Sequence, residues 1–266
     1  MPLRPGGPLA DAPPARRDRG EARTEGHTLT YAGDELELFA SATRWKGYYG
    51  GIVAPYLRGD VLEVGAGIGG TARVLCDGRQ RSWAALEPDP ALADAMRRSL
   101  AAAPLPAPTR VVTGTLASLP PESRFDAVLY VDVLEHIEDD RGEVARAAER
   151  LVAGGALIAL APAQQWLYSP FDERIGHYRR YDRRSIAALT PPALALERVL
   201  MLDAVGMLAS AANRFVLRQD APTARQVGFW NRWLVPSSRL VDPLLGHRFG
   251  RSVLAIWRRR AADAHS

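Results

Sequence analysis

The chain reads as an α/β protein of the doubly wound, Rossmann-like class. It predicts a mostly parallel seven-stranded sheet with helices on both faces, plus a C-terminal helical insertion that is a candidate lid. Three observations carry this. Between residues 60 and 160 short apolar runs alternate with amphipathic helical stretches, the βαβα order that builds a parallel sheet. A glycine turn, Gly65-Ala-Gly-Ile-Gly-Gly70, joins the first run to the helix after it. Two later runs, Leu196–Leu202 and Ser252–Arg258, are expected to pair antiparallel at one edge.

Composition bounds the rest. The 266 residues are 47% hydrophobic and 24% charged, ordinary for one globular α/β domain with its own core. Cys76 is the single cysteine, which excludes an internal disulfide and a cysteine-rich zinc site. The formal charge is +4, and Lys46 is the only lysine, so the basicity is nearly all arginine. That modest excess does not by itself indicate nucleic acid or anionic lipid.

Met1–Gly20 is rich in Pro, Gly, Ala and Arg, reads as a disordered tail, and has no apolar segment of the secretory kind. Glu35–Leu57 predicts one or two helices broken near Gly50-Gly51. Asp60–Val64 is the first strand, and a helix from Gly69 to about Asp77 follows the glycine turn. Trp83–Leu86 is the second strand. Asp89 caps the next helix with Pro90 at its first position, and that helix runs to about Ala102. Arg110–Thr113 and Phe125–Val131 are the third and fourth strands, the latter apolar throughout as a central parallel strand should be. Glu138–Val152 is a helix stopped by Gly154-Gly155, and Ala156–Leu160 is the fifth strand. Arg183–Leu189 is a short helix. Val199–Leu217 is apolar enough to approach a membrane span, but Asp203, Asn213 and Arg214 interrupt it; it is read as a buried strand and helix. Gly228–Leu245, with Trp230 and Trp233, is the amphipathic insertion.

The candidate site follows from the strand ends. Gly65, Gly67 and Gly70 form G-x-G-x-x-G, which lets a ligand approach the backbone but is shared by dinucleotide-binding proteins. Glu87 closes the second strand, beside that turn in a parallel sheet, where a carboxylate accepts hydrogen bonds from ribose hydroxyls. A pyrophosphate would favour bare helix N-termini and basic groups. Glu63 before the turn and Asp132 after the fourth strand instead suit a cationic ligand.

Together Val61–Gly70, Ala85–Asp89, Phe125–Ile137 and Leu151–Ile158 resemble, in order, motifs of the class I S-adenosylmethionine-dependent methyltransferases. Tyr168–Tyr181 resembles a bacterial small-molecule subgroup of them. The resemblance implies a cofactor-binding core at 33–162 and an acceptor loop and lid region at 163–251, within a domain spanning 31–266 after a tail at 1–30. It implies S-adenosyl-L-methionine as cofactor. The loop Gly65, Ala66, Gly67 and Gly69 would flank its methionine part, and Glu63 would contact its ammonium directly or through water. Glu87 would hold the ribose with Pro88 beside the adenine, and Asp132 and Val133 would face the methionine side and the acceptor. Where the family often has Gly-Asp after the third strand, this chain has Gly114-Thr115, so Thr115 or the backbone near Leu116 must meet the adenine.

The acceptor is expected to be a small molecule or lipid-like, methylated on oxygen or nitrogen. His177 is the first choice of base, because imidazole as a residue type titrates near neutrality; Asp132 and Tyr168 complete the catalytic candidates. The bland reading is that His177 and the arginines of this segment pin the loop. His136 is read as structural. Asp139 and Asp140 are read as helix capping rather than a metal site, and no metal is expected. Among rivals, a nicotinamide-dependent oxidoreductase of the Tyr-x-x-x-Lys type conflicts with a lone lysine upstream of the glycine turn. A base-amino methyltransferase acting on nucleic acid conflicts with Val131-Asp-Val-Leu134, which lacks the Pro-Pro-aromatic motif. A non-catalytic S-adenosylmethionine-binding subunit is the non-enzymatic alternative. A cytoplasmic location is expected, with peripheral membrane contact as an addition.

Overall fold

The computed structural model describes residues 41–217 and 223–261. The tail and the beginning of the first helical stretch lie outside the described residues. The apolar runs form β1 (Gly59–Val64), β2 (Gln80–Glu87), β3 (Thr109–Thr113), β4 (Phe125–Val131), β5 (Leu151–Pro162), β6 (Leu194–Leu202) and β7 (Ser252–Arg259). They assemble as one sheet in the order β3-β2-β1-β4-β5-β7-β6. The first five pair parallel, and β7 lies antiparallel between β5 and β6. The predicted fold class is the observed one. Alternation along the strands splits the core: Val61, Trp83, Ala127 and Ile158 pack on one face, Leu62, Ala84, Val128 and Leu157 on the other. Burial on both faces is why β4 and β5 read as continuous apolar runs.

The helices are α1 (Thr43–Val53), α2 (Ala72–Leu75), α3 (Pro90–Ala102), α4 (Asp140–Glu149), α5 (Pro170–Arg174), α6 (Arg183–Ala187), α7 (Ala204–Ala212), α8 (Ala224–Phe229) and α9 (Val235–Leu244). Asp89 caps α3 as predicted, its Oδ1 accepting from the N–H groups of Ala91 and Leu92 at 2.7 and 3.3 Å. Asp139 caps α4 by accepting from Gly142 N–H at 2.9 Å, and Asp140 takes Tyr181 Oη–H at 2.8 Å and Arg179 at 2.6 Å. Asp139 serves as the expected cap, while Asp140 in the first turn is taken up by Tyr181 and Arg179.

Four expectations are corrected. The Gly50-Gly51 pair does not break α1: Gly50 is buried, and a Cβ there would sit 2.5 Å from Leu75 Cδ2. It is glycine so that α1 can pack closely on α2. The helix after the glycine turn is a single short turn, Ala72–Leu75, rather than one reaching Asp77. β5 begins at Leu151, so Gly154-Gly155 lies within the strand, not between helix and strand. The apolar stretch from Val199 does fold as strand then helix, but α7 is not fully buried, since Leu208 is 66% exposed.

The insertion between β6 and β7 is anchored by two buried aspartates. Asp203 has φ of 67°, a left-handed conformation that aspartate tolerates better than most residues. Its carboxylate accepts from Gly206 N–H at 3.1 Å, Trp230 Nε1–H at 2.7 Å and Ser238 Oγ–H at 2.6 Å. Asp242 on α9 accepts from the N–H groups of Asp203 and Ala204 at 2.6 and 2.9 Å and from Tyr48 Oη–H at 2.8 Å. The pair ties α9 to α7, to α1 and to the end of β6. Asp203→Ala leaves three buried donors without an acceptor and should destabilise the protein by on the order of 3 kcal/mol in urea unfolding. Asp203→Asn, which keeps an acceptor oxygen, should lose less than half of that; equal losses would contradict this role.

Candidate active site

The carboxyl ends of β1, β2, β3, β4 and β5 face one cavity of about 890 Å³. β1 sits where the strand order reverses, the place where open α/β sheets bind ligands. The turn after β1 is shaped by glycines with positive φ: 69° at Gly65, 55° at Gly67 and 85° at Gly69. A Cβ on Gly65 would fall 2.5 Å from Val133 Cγ2, so this turn and the one after β4 touch only because residue 65 lacks a side chain. The N–H groups of Gly65 and Ala66 donate to Leu86 O at 2.8 and 3.1 Å.

Glu87 is the centre of this half. Its Oε2 accepts from Gly67 N–H at 2.7 Å and its Oε1 from Asp89 N–H at 2.9 Å. Burial pushes its carboxyl above the ordinary range, against the pull of those two donors. Two fixed oxygens at a strand end, with glycine backbone opposite and Pro88, Asp89 and Leu92 on the same wall, form a polar cradle in the cavity. Gly114, Thr115 and Leu116 line the next wall. Thr115 N–H donates to Ser118 Oγ at 3.1 Å, holding the tight turn that begins at Leu116.

Asp132 follows β4 with φ of 54°, the left-handed region that aspartate tolerates better than most residues. Its exposed surface is the part turned into the cavity, deep inside the fold. That depth raises its carboxyl, opposed by His177, Arg251 and Lys46. Glu63 is placed differently from its expectation: it lies beneath the turn, 2% exposed, accepting from Trp83 Nε1–H at 2.9 Å, and is not among the residues lining the cavity. Lys46, from buried α1, does line it, between the fields of Asp132 and Glu63.

The segment after β5 forms the far wall. Asp172 is buried and accepts from Arg180 through Nε at 2.8 Å and Nη2 at 3.0 Å, with His177 Nδ1 2.9 Å from Oδ1. Burial works against ionisation of Asp172, but the His177 and Arg180 hydrogen bonds overcome it and hold the carboxyl well below the usual range. His177 lines the cavity; Tyr168 does not, because its hydroxyl donates to His177 O at 2.6 Å and fastens the loop. His136 lies edge-on to His177 with ring centres 4.5 Å apart, and burial followed by the nearby His177 pushes its imidazole down to about 4. Glu135 is fully buried beside them.

Lys46, Glu135, Arg251 and Trp45 line the cavity without having been singled out from the sequence for the site, and Trp230 joins them from the candidate lid. The lone lysine, on an aromatic helix just before the glycine turn, was the one available signal; the others arrive by tertiary packing from distant segments.

Glu63 gives a pH prediction. Burial pushes its carboxyl up to about 8, with Trp83 pulling the other way. Between its unfolded and folded values the native state therefore binds more protons, so Glu63 lowers stability as pH rises from about 4.5 through about 8. Glu63→Gln should be stabilising relative to wild type at pH 8.5 and much less so at pH 5, a difference on the order of a few kcal/mol by thermal unfolding. A pH-independent difference would contradict it.

Known proteins share both the domain and the fold around this site. Residues 62–158 match a family model described as a methyltransferase domain. No protein of curated function matches the chain. Solved structures share the fold at low identity. The N-methyltransferase NodS from Bradyrhizobium japonicum WM9, in complex with S-adenosyl-L-homocysteine, is 13% identical over 88% of this chain and 100% of its own, with a TM-score of 0.55. An S-adenosylmethionine-dependent methyltransferase from Clostridium acetobutylicum ATCC 824 is 10% identical over 86% of this chain and 99% of its own, with a TM-score of 0.56. The [4+2]-cyclase SpnF is 13% identical over 86% of this chain and 95% of its own, also at 0.56. Identities this low establish a common fold, and the cyclase among them means that the fold alone does not fix the reaction. The family match is independent of fold and runs through the strands whose ends build the cradle: residues 62–158 are similar to a methyltransferase domain.

Proposed function

We propose that this protein methylates an oxygen or nitrogen atom of a small-molecule or lipid-like acceptor. The observation that carries the reading is one continuous cavity with two chemically distinct halves, the Glu87 cradle at one side and the Asp132, His177 and Arg180 wall at the other. Its volume lies in the range of small-molecule sites, with room for a nucleoside and a second ligand.

The residues present fit the cofactor. Glu87 would hold the ribose hydroxyls, and Pro88, Thr115 and Leu116 would enclose the base. Gly65, Ala66 and Gly67 would leave room for the methionine portion, with Asp132 and Val133 near it, whereas Gly69 faces Met96 and lies outside the cavity lining. When bound, S-adenosylmethionine supplies a methyl group on a positively charged sulfur, whose displacement requires in-line approach of the acceptor atom. The protein's contribution is then mainly positioning. A neutral His177 donates Nδ1–H to Asp172, so its Nε2 lone pair is directed elsewhere and can take a proton from an acceptor hydroxyl. Asp172, gripped by Arg180, fixes that tautomer. Tyr168 acts as a positioning residue through the His177 carbonyl. Glu63 supports the turn from below rather than meeting the ligand.

A specific observation favours an apolar or membrane-held acceptor. Leu208, Phe215, Phe229, Trp233, Leu240 and Leu244 are exposed on the insertion and its approach, and Arg232 stacks over Trp233 at 5.5 Å. Exposed aromatics with arginines suit an interfacial contact. No helix among the described residues is long and apolar enough to cross a membrane. A cytoplasmic protein that touches the bilayer peripherally is part of the proposal.

Two experiments test this reading. Calorimetric titration with S-adenosylmethionine should give micromolar binding that falls by about a hundredfold in Glu87→Ala, since two hydrogen bonds to a charged group are lost; unchanged binding would contradict the ribose role. Sedimentation with anionic lipid vesicles should carry down the wild type but much less of Trp233→Ala/Leu244→Ser. A wild type that stays in solution would contradict membrane contact and leave the methyl-transfer reading intact.

A further inference from the structure

Glu135 presents an anomaly that the methyl-transfer reading does not use. It is 0% exposed, and both carboxylate oxygens lack any hydrogen-bond partner. A buried carboxylate without donors is costly, and such groups are ordinarily protonated, paired or bound to a cation. Its neighbours have the chemistry of the last case. Glu135, His136 and His177 each place one ligand-type atom such that all lie within 4.8 Å of one another. His177 Nε2 is 3.9 Å from Glu135 Oε1, too long for a hydrogen bond and longer than the roughly 3.3 Å between ligands on one zinc ion with bonds near 2.05 Å. A small contraction onto an ion closes that gap.

We propose that Glu135, His136 and His177 form a binding site for one divalent transition-metal ion in the acceptor half of the cavity. Two imidazoles and one carboxylate are a set that binds zinc, iron or manganese while leaving coordination positions for exogenous oxygen. The surrounding structure is that of a built site. His177 reaches the ion through Nε2 because Nδ1 is held by Asp172, the carboxylate–histidine arrangement that fixes ring orientation at metal centres. Asp172 is in turn held by Arg180 through two hydrogen bonds. All three ligands line the cavity, so the open positions face the space assigned to the acceptor.

The assignment deepens the methyl-transfer reading and rests on it for the role of the ion: coordination would lower the pKa of an acceptor hydroxyl and favour an oxygen acceptor able to bind a metal. A proton and the ion compete for the same Nε2 lone pair, so in the loaded protein the coordinated hydroxyl would give its proton to water in the open cavity rather than to His177. Among the described residues no other such cluster occurs.

The test is titration of chelator-treated, full-length protein with Co²⁺, followed by visible absorption and by calorimetry. One equivalent should bind with the d–d bands of a nitrogen- and oxygen-ligated ion, and Glu135→Gln and His177→Ala should each weaken binding by tenfold or more. S-adenosylmethionine binding by Glu135→Gln should stay within about threefold of wild type, which separates this site from the cradle and reports that the variant is folded. Absence of saturable Co²⁺ binding by the wild type overturns the proposal, as does equal affinity in wild type and either variant. Neither result would touch the cofactor assignment, whose own failure appears as absent S-adenosylmethionine binding by the wild type.

Discussion

The Glu87 carboxylate joins three parts of the molecule at one point. It closes β2, accepts the N–H of Gly67 on the turn after β1 and accepts the N–H of Asp89 at the start of α3. Those bonds set the spacing between neighbouring strand ends at the place where the sheet order reverses, and so decide the width of the cavity mouth there. The carboxylate is buried yet kept beside two fixed donors, which orients both oxygens before any ligand arrives. Gly65 serves the same end from the other side, since its missing Cβ allows the first turn to rest on Val133. Much of the chemistry assigned to the site presupposes this junction.

The second half of the cavity is made in a different way. Its wall does not come from the ends of the parallel strands alone. It comes from a loop folded around the buried Asp172, and from an insertion fixed to the sheet by Asp203 and Asp242. Trp230 enters the cavity lining from that insertion, with Arg251 stacked over its ring at 4.7 Å. A cradle built on strand ends with a variable wall built on inserted segments allows one fold to keep a cofactor while changing acceptors.

The same division explains what is legible in the sequence. The cradle is local: a glycine turn, a strand and an acid follow one another along the chain, and their order alone points to Gly65, Gly67 and Glu87. The alternating apolar runs likewise specify the sheet. The Asp89 and Asp139 caps are local as well. Sequence reading fails where tertiary contact overrides local propensity. Gly50 reads as a helix breaker, but its lack of a side chain is what lets α1 pass Leu75. Glu63 reads as a ligand contact from its place before the turn, but strand alternation points it toward Trp83. The juxtaposition of Lys46 and Arg251 with Asp132, and of Glu135 and His136 with His177, depends on side-chain directions and on sequence separations that no pattern encodes.

The most direct test of the account is a crystal structure with S-adenosyl-L-homocysteine, the demethylated form of the cofactor. The account predicts density for the nucleoside between the glycine turn and β2, both ribose hydroxyls on Glu87, and the sulfur turned toward Asp132 and the His177 wall. A nucleoside seated elsewhere, or a ribose with no contact to Glu87, would contradict it.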